Sequence, residues 1–367
     1  MPQGRPATAT ATSRPRTAGR AGTSSTSRTG SARSSISTTA AISSVSTGNA
    51  DTQYEPDLEP IKKLVVHQLA LDLLAQAFSA DLRDPQFHAK LQHIKGLFYE
   101  RQFLEIFNGD PTLLPIYSAR YIPYRTLAYL ELIHRVAPLR SAIVDAPRPH
   151  AVLLGGGAGS ELAAILHSRT QYESDHGKSP QRHLTVTTVD IGDYTSVLSR
   201  IETAFAPTPS TTYKSSFSVG NLLDSTFPLP VGDATVVTLF FTLNELFAQS
   251  KAGAMAFLQR LIAALPRDAI LVVADSAGSF SDLTIGSREY KITVLLDMMR
   301  GLRRVAGADS LWFRFIPELR YPHKLENMRY FWRVYAVDQT IASVEAKKSP
   351  VMAGAGEVSG EGAERRG

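Results

Sequence analysis

Cysteine is absent from the 367 residues. That removes disulfides, thiolate zinc sites and cysteine nucleophiles together, and it suits an intracellular protein. Long apolar runs are also missing. No stretch approaches the roughly 20 residues that a membrane-crossing helix requires, and no apolar signal core follows Met1, so no membrane partner is expected. The nine histidines show no close pairing with carboxylates, and His88 and His93 read as solvated helix positions, so no metal is expected. The first fifty residues lack acids and aromatics altogether, yet they hold six arginines.

That imbalance explains the net charge of +5. With six of the 39 basic residues in the tail, the remainder carries 33 against 34 acidic residues, so the basic character belongs to the tail. Residues 1–55, rich in Ser, Thr, Ala, Gly and Arg, cannot bury enough surface to offset the entropy of ordering and read as disordered. Their composition fits a mitochondrial transit peptide, but they show no convincing amphipathic face. A nonspecific RNA-binding or targeting arm fits at least as well. Residues 341–367, rich in Gly, Ala and Glu, read as a second solvated tail.

A hydrophobic fraction of 43% over the full chain supports a substantial core. Residues 56–150 read as a helical cap. Ile61, Val65, Leu69 and Leu73 recur every fourth residue as a packing stripe, Asp84-Pro85 predicts a helix start, and Pro123 predicts the opening of a third helix. Between them, Tyr117 to Arg125 alternates rings with arginines at a loop-to-helix passage. Such a mixture serves stacking and phosphate contact, or else packs tyrosines under solvated arginines.

Residues 151–340 read as an α/β domain. Ala151–Leu154 predicts a strand buried on both faces. It breaks into Gly155, Gly156, Gly157 and Gly159, which let the backbone approach a ligand closely, and Ser160 then opens a helix with free N–H groups. The spacing is G-x-G-x-G rather than the dinucleotide G-x-G-x-x-G. A second strand ends at Asp190, placed to accept from both hydroxyls of a ribose. A third ends at Gly220-Asn221, where Asn221 and Leu222 are candidates for reading an adenine edge, with a simple turn as the alternative. Ala234–Phe241 predicts a buried strand that empties into Thr242-Leu243-Asn244-Glu245. A helix from about Leu246 to Leu265, a strand at Ala269–Ala274, a helix near Lys291–Val305 and closing strands at Leu311–Ile316 and Met328–Val337 complete the domain. The aromatic residues of those last strands, Trp312 included, read as core.

The glycine turn and Asp190 resemble the first two motifs of the seven-stranded S-adenosylmethionine-dependent methyltransferases. Adding ARYIPYR (119–125), LLGGGAGSE (153–161), VDIGDY (189–194), LFFTLNELF (239–247) and MRYFWRVY (328–335), the chain resembles the fungal methyltransferase family that includes the large-subunit ribosomal RNA uridine-N3 methyltransferase. The resemblance implies a Rossmann-like seven-stranded sheet with a helical cap and S-adenosylmethionine as cofactor. It implies ribosomal RNA or a pre-ribosomal particle as partner, a monomer, and a nuclear, nucleolar or cytoplasmic location ahead of a mitochondrial one. Gly155, Gly156, Gly157, Gly159, Ser160, Glu161, Asp190, Asn221 and Leu222 would hold the cofactor. Asn244 and Glu245 would be catalytic, and Arg120, Tyr121, Arg125, Phe241, Arg320, His323, Lys324 and Arg329 would meet RNA. The chain departs from a common pattern by placing Leu153, not an acid, two residues before the first glycine. Glu161 is the nearest replacement, with a helix N-terminal acid as its plain reading. A methyltransferase for protein or small molecules, or a non-catalytic assembly factor on the same fold, fits the same motifs.

Overall fold

The computed structural model describes residues 55–176, 182–207, 211–278, 282–285 and 288–337. The readings of residues 1–54 and 338–367 lie outside the described residues. The chain begins with helices α1 (Pro60–Ala77), α2 (Phe87–Tyr99), α3 (Leu113–Arg135) and the short α4 (Ala137–Arg140). Strand β1 (His150–Leu154) follows, then α5 (Ser160–His176), β2 (Arg182–Asp190), α6 (Thr195–Ala204), β3 (Thr211–Val219) and β4 (Val236–Phe240). Helices α7 (Leu243–Gln249) and α8 (Lys251–Ala264) lead to β5 (Ile270–Ser276). A small hairpin, β6 (Asp282–Ile285) and β7 (Arg288–Lys291), precedes α9 (Ile292–Asp297), β8 (Leu302–Phe313) and β9 (Met328–Val337).

Seven strands form one sheet in the order β3-β2-β1-β4-β5-β9-β8, with β6 and β7 pairing separately. The first five strands run parallel, and β9 joins β5 antiparallel before pairing with β8. The apolar runs of β1 and β4 are buried because both faces of a parallel sheet are covered. Edge strand β3 is polar and largely exposed. Strand order reverses between β1 and β4, which puts the topological switch point, and hence the ligand crevice, at their carboxyl ends.

Helix α3 joins the cap to the rest of the fold: it packs on α1, α2 and α5, and most of its residues are buried. Pro123 lies inside this helix rather than at its start, so Tyr117–Arg125 is helical throughout, not a loop-to-helix passage. A proline has no N–H, so the carbonyl four residues back loses its partner. That carbonyl, Ala119 O, accepts from the Tyr321 hydroxyl at 3.0 Å instead. The α1 stripe is a second correction. Ile61, Val65 and Leu69 are exposed, while the neighbouring stripe of Val66, Ala70, Leu71 and Leu74 faces the core. Periodicity alone does not choose between two apolar stripes on one helix. The predicted helix 246–265 is broken at Ser250, whose hydroxyl accepts from Gly253 N at 3.0 Å and caps α8. The helix expected near Lys291–Val305 is shorter, because β8 begins at Leu302.

Candidate active site at the carboxyl ends of β1, β2 and β4

The strand-to-helix turn after β1 is built by glycines for steric reasons. Gly155 has φ +76°, and a Cβ there would fall 2.1 Å from Thr242 Oγ1. A Cβ on Gly157 would fall 2.3 Å from the Tyr194 ring and 2.7 Å from Asp190 Cβ. This close approach lets Gly157 N donate to Asp190 Oδ2 at 2.8 Å, while Gly192 N donates to Oδ1 at 3.2 Å. Asp190 is 8% exposed. Burial outweighs these backbone donors and pushes its pKa up to about 6. A carboxylate offers about four acceptor positions, so two hydrogen bonds leave capacity for a ligand.

The turn opens into a partly open cleft at the carboxyl ends of the strands. It is lined by Gly155, Ser160, Glu161, Asp190, Asn221 and Leu222. Gly156, Gly157 and Gly159 shape the turn without lining the cleft. Ser160 Oγ donates to Glu161 Oε2 at 3.0 Å, whereas Glu161 Oε1 is buried without a partner. Burial pushes the Glu161 pKa up to about 7. Asn221 Oδ1 accepts from Leu223 N at 2.9 Å, which fixes the loop after β3.

The same cleft is also lined by Arg125, Tyr117, Phe241 and Glu245. Arg125 Nη1 donates to the Tyr117 hydroxyl at 2.9 Å, and its guanidinium lies 4.6 Å from the centroid of the Phe241 ring. Phe241 has φ +55°, a conformation costly for a bulky residue, and is held by its N–H donating to Ala274 O at 2.8 Å. Burial pushes the Glu245 pKa up to about 8 against the opposing charge of Arg125. Asn244 is not among the residues that line the cleft. Its N and Nδ2 donate to the Asp275 carboxylate at 2.9 and 2.7 Å, so it anchors the start of α7 to the end of β5.

The other predicted RNA residues do not gather here. Arg120 is buried and paired with Glu326, with its guanidinium 5.5 Å from the Tyr121 ring centroid. His323 stacks on Phe87 at 4.0 Å. Arg320 is exposed and donates to the carbonyls of Pro317 and Leu319, Lys324 is exposed, and Arg329 donates to Ser310 Oγ. Phe107 and Tyr194 also line the cleft, although the sequence pattern gave neither a role. Tyr194 sits four residues after Asp190, a signal that could have found it; Phe107 offers none, because it arrives from the cap.

The family described as "Putative SAM-dependent methyltransferase" matches residues 74–336. The chain belongs to this family. The methyltransferase is 29% identical over 282 residues to the 25S rRNA (uridine(2843)-N(3))-methyltransferase of Saccharomyces cerevisiae, covering 67% of this chain and 77% of the relative. Among solved structures it is similar to the N-methyltransferase NodS of Bradyrhizobium japonicum in complex with S-adenosyl-L-homocysteine. That match has 11% identity and a TM-score of 0.37, covering 61% of this chain and 96% of the other. The O-methyltransferase NcsB1 of neocarzinostatin biosynthesis, also in complex with S-adenosyl-L-homocysteine, matches at 17% identity and a TM-score of 0.37, covering 74% and 70%.

S-adenosylmethionine is the cofactor of this methyltransferase, and the residues present fit it. The cleft has glycine-turn backbone at its base, an acid with spare acceptor capacity at the end of β2, and an unpartnered buried oxygen on Glu161. Among the described residues there is no group of three or more His, Asp or Glu that could hold a metal ion, and no helix is long and apolar enough to cross a membrane.

Proposed function

We propose that this methyltransferase modifies N3 of a uridine in large-subunit ribosomal RNA and works in the nucleus or nucleolus, with residues 56–150 as its cap and 151–340 as its cofactor domain. The observation that carries the reading is that Arg125, Phe241 and Glu245 line the same cleft as Gly155 and Asp190, on a chain similar to a ribosomal RNA uridine-N3 methyltransferase. In this reading Asp190 accepts from ribose hydroxyls, Asn221 and Leu222 meet the adenine, and Glu161 Oε1 faces the cationic end of the cofactor. S-adenosylmethionine, when bound, supplies an electrophilic methyl group on a sulfonium.

The protein's part is alignment, exclusion of water and removal of one proton. Uridine N3 is a poor nucleophile while it holds its proton. Phe241 offers a face on which an unstacked base can lie, and Arg125 beside it favours the deprotonated, anionic ring. Glu245 takes the N3 proton as general base. Its high pKa makes it a base strong enough for that task, at the expense of being largely protonated near neutrality. Asn244 contributes as a positioning residue, fixing α7 through Asp275.

The test is nucleoside analysis of large-subunit ribosomal RNA from cells with and without the gene. One 3-methyluridine disappears in the deletion and returns with the wild-type gene. An unchanged set of modified nucleosides sinks the RNA reading, and a methylated protein or small molecule lost in the deletion replaces it.

A further inference from the structure

Trp312 is the residue whose placement departs furthest from its sequence reading. It is 53% exposed, whereas Trp332, the only other tryptophan, is 1% exposed. A bulge is responsible. Ala308 pairs with Trp332 and Leu311 with Tyr330, so β8 spends three residues where β9 spends two. Ala306 and Ala308 pack toward the core shared with α1 and α3. Regular alternation would aim Trp312 at that same core. The extra residue at Asp309-Ser310 reverses the alternation. Leu311 and Phe313 therefore take the core positions, and Trp312 is turned out.

Two arginines flank the exposed indole. The Arg314 guanidinium lies 5.6 Å from the Trp312 ring centroid, and Arg329 is the direct cross-strand partner of Trp312, its Nε donating to Ser310 Oγ at 2.8 Å. Nearby carboxylates are occupied: Asp309 pairs with Arg333 and Glu326 with Arg120. The loop from β8 to β9 adds Arg320 and Lys324 against Glu318. The cluster also sits at the productive end of the sheet. Strand β9 begins opposite the carboxyl end of β5, where Ser276 pairs with Tyr330, and the cleft opens at the carboxyl ends of β1, β2 and β4.

We propose that Trp312, Arg314 and Arg329 form a binding surface for unpaired RNA flanking the target nucleotide, with a base stacked on the indole and the guanidinium groups on phosphates. The inference rests on the reading that RNA is the substrate. An aromatic face between two cations at the cleft end of a sheet matches single-stranded RNA, which presents a stackable base beside each anionic phosphate.

The experiment uses the full chain and single-stranded oligouridylate of about 12 nucleotides. Because Trp332 is buried, Trp312 dominates the accessible tryptophan fluorescence, and bound RNA quenches it. By anisotropy with labelled oligonucleotide, Trp312→Ala weakens binding roughly tenfold, and Trp312→Phe restores most of it, since any aromatic face stacks. The double variant Arg314→Gln/Arg329→Gln lowers the slope of log affinity against log salt by about 1.4, at about 0.7 for each phosphate no longer neutralised. S-adenosylmethionine affinity stays at the wild-type value in all three, which separates weakened RNA binding from misfolding. If the wild type binds and methylates RNA while Trp312→Ala and the double variant match it in affinity and KM, the surface is wrong and the substrate reading stands. If the wild type neither binds nor methylates RNA, the substrate reading falls and takes the surface with it.

Discussion

Replacing Asp190 with Asn separates what this residue does for the cofactor from what it costs the fold. Its carboxylate accepts from Gly157 N and Gly192 N, so both oxygens are needed as acceptors. An asparagine offers one oxygen and turns an NH2 toward the other backbone donor, leaving it unsatisfied at about 1–3 kcal/mol. Against that, the native acid is raised from 3.8 to about 6 by burial. For a group 8% exposed, this corresponds to about 3 kcal/mol of cost for keeping it ionised above pH 6. The sign follows from linkage. A carboxyl whose folded pKa is raised binds its proton more tightly in the folded state, so its favourable contribution is present below about pH 4 and is lost as pH rises through 6. Asp190→Asn removes both the cost and the pH dependence. Near neutrality the two changes nearly cancel, and the variant melts close to the wild type; between pH 4 and 6 its melting temperature follows pH less steeply. Cofactor affinity drops at least tenfold, because a ribose hydroxyl loses a charged acceptor. Scanning calorimetry across that pH range and titration calorimetry with S-adenosylmethionine read the two effects. A variant that binds the cofactor as tightly as the wild type would refute the role given to Asp190.

Gly157→Ala forces a Cβ to 2.3 Å from Tyr194 and 2.7 Å from Asp190. Destabilisation of about 1–3 kcal/mol is expected from overpacking, with loss of cofactor binding by calorimetry; unchanged affinity would mean that the turn does not shape the site. For Glu245→Gln, a single-turnover rate about 100-fold lower is expected. The wild-type rate rises with pH through about 8, and the variant loses that limb. A preserved profile would assign the base elsewhere. Tyr321→Phe removes the donor to Ala119 O and costs about 1–3 kcal/mol in denaturant unfolding. In a Pro123→Ala background the restored N–H satisfies that carbonyl, so the cost shrinks. Equal costs in both backgrounds would break the argument.

The glycine turn and Asp190 were legible as parts of one cleft because their determinants are local. A buried strand, a glycine turn, a helix start and an acid ending the next strand follow one another closely in the chain, and Gly155, Ser160, Glu161, Asp190, Asn221 and Leu222 all line one cleft. Glu245 and Phe241 were legible for the same reason, as the tail of a buried strand. Asn244 was legible as a neighbour of the chemistry, but its bond to Asp275 depends on β5 pairing with β4, which no local pattern reveals. The contribution of the cap to the cleft was harder. Arg125 and Tyr117 reach the cleft on a helix that runs past Pro123, and the donor to its freed carbonyl comes from Tyr321, far along the chain. Trp312 shows the limit most sharply: a one-residue bulge reverses which side of β8 is inside, and composition carries no trace of it.

Methyl transfer from S-adenosylmethionine to a ribosomal uridine can be followed directly in vitro. The purified full chain is incubated with methyl-labelled S-adenosylmethionine and large-subunit ribosomal RNA from cells lacking the gene, and the RNA is digested to nucleosides. Label is expected in 3-methyluridine alone, reduced at least tenfold with Asp190→Asn at subsaturating cofactor. Label in another nucleoside, or none in RNA from a protein that binds the cofactor, would contradict it.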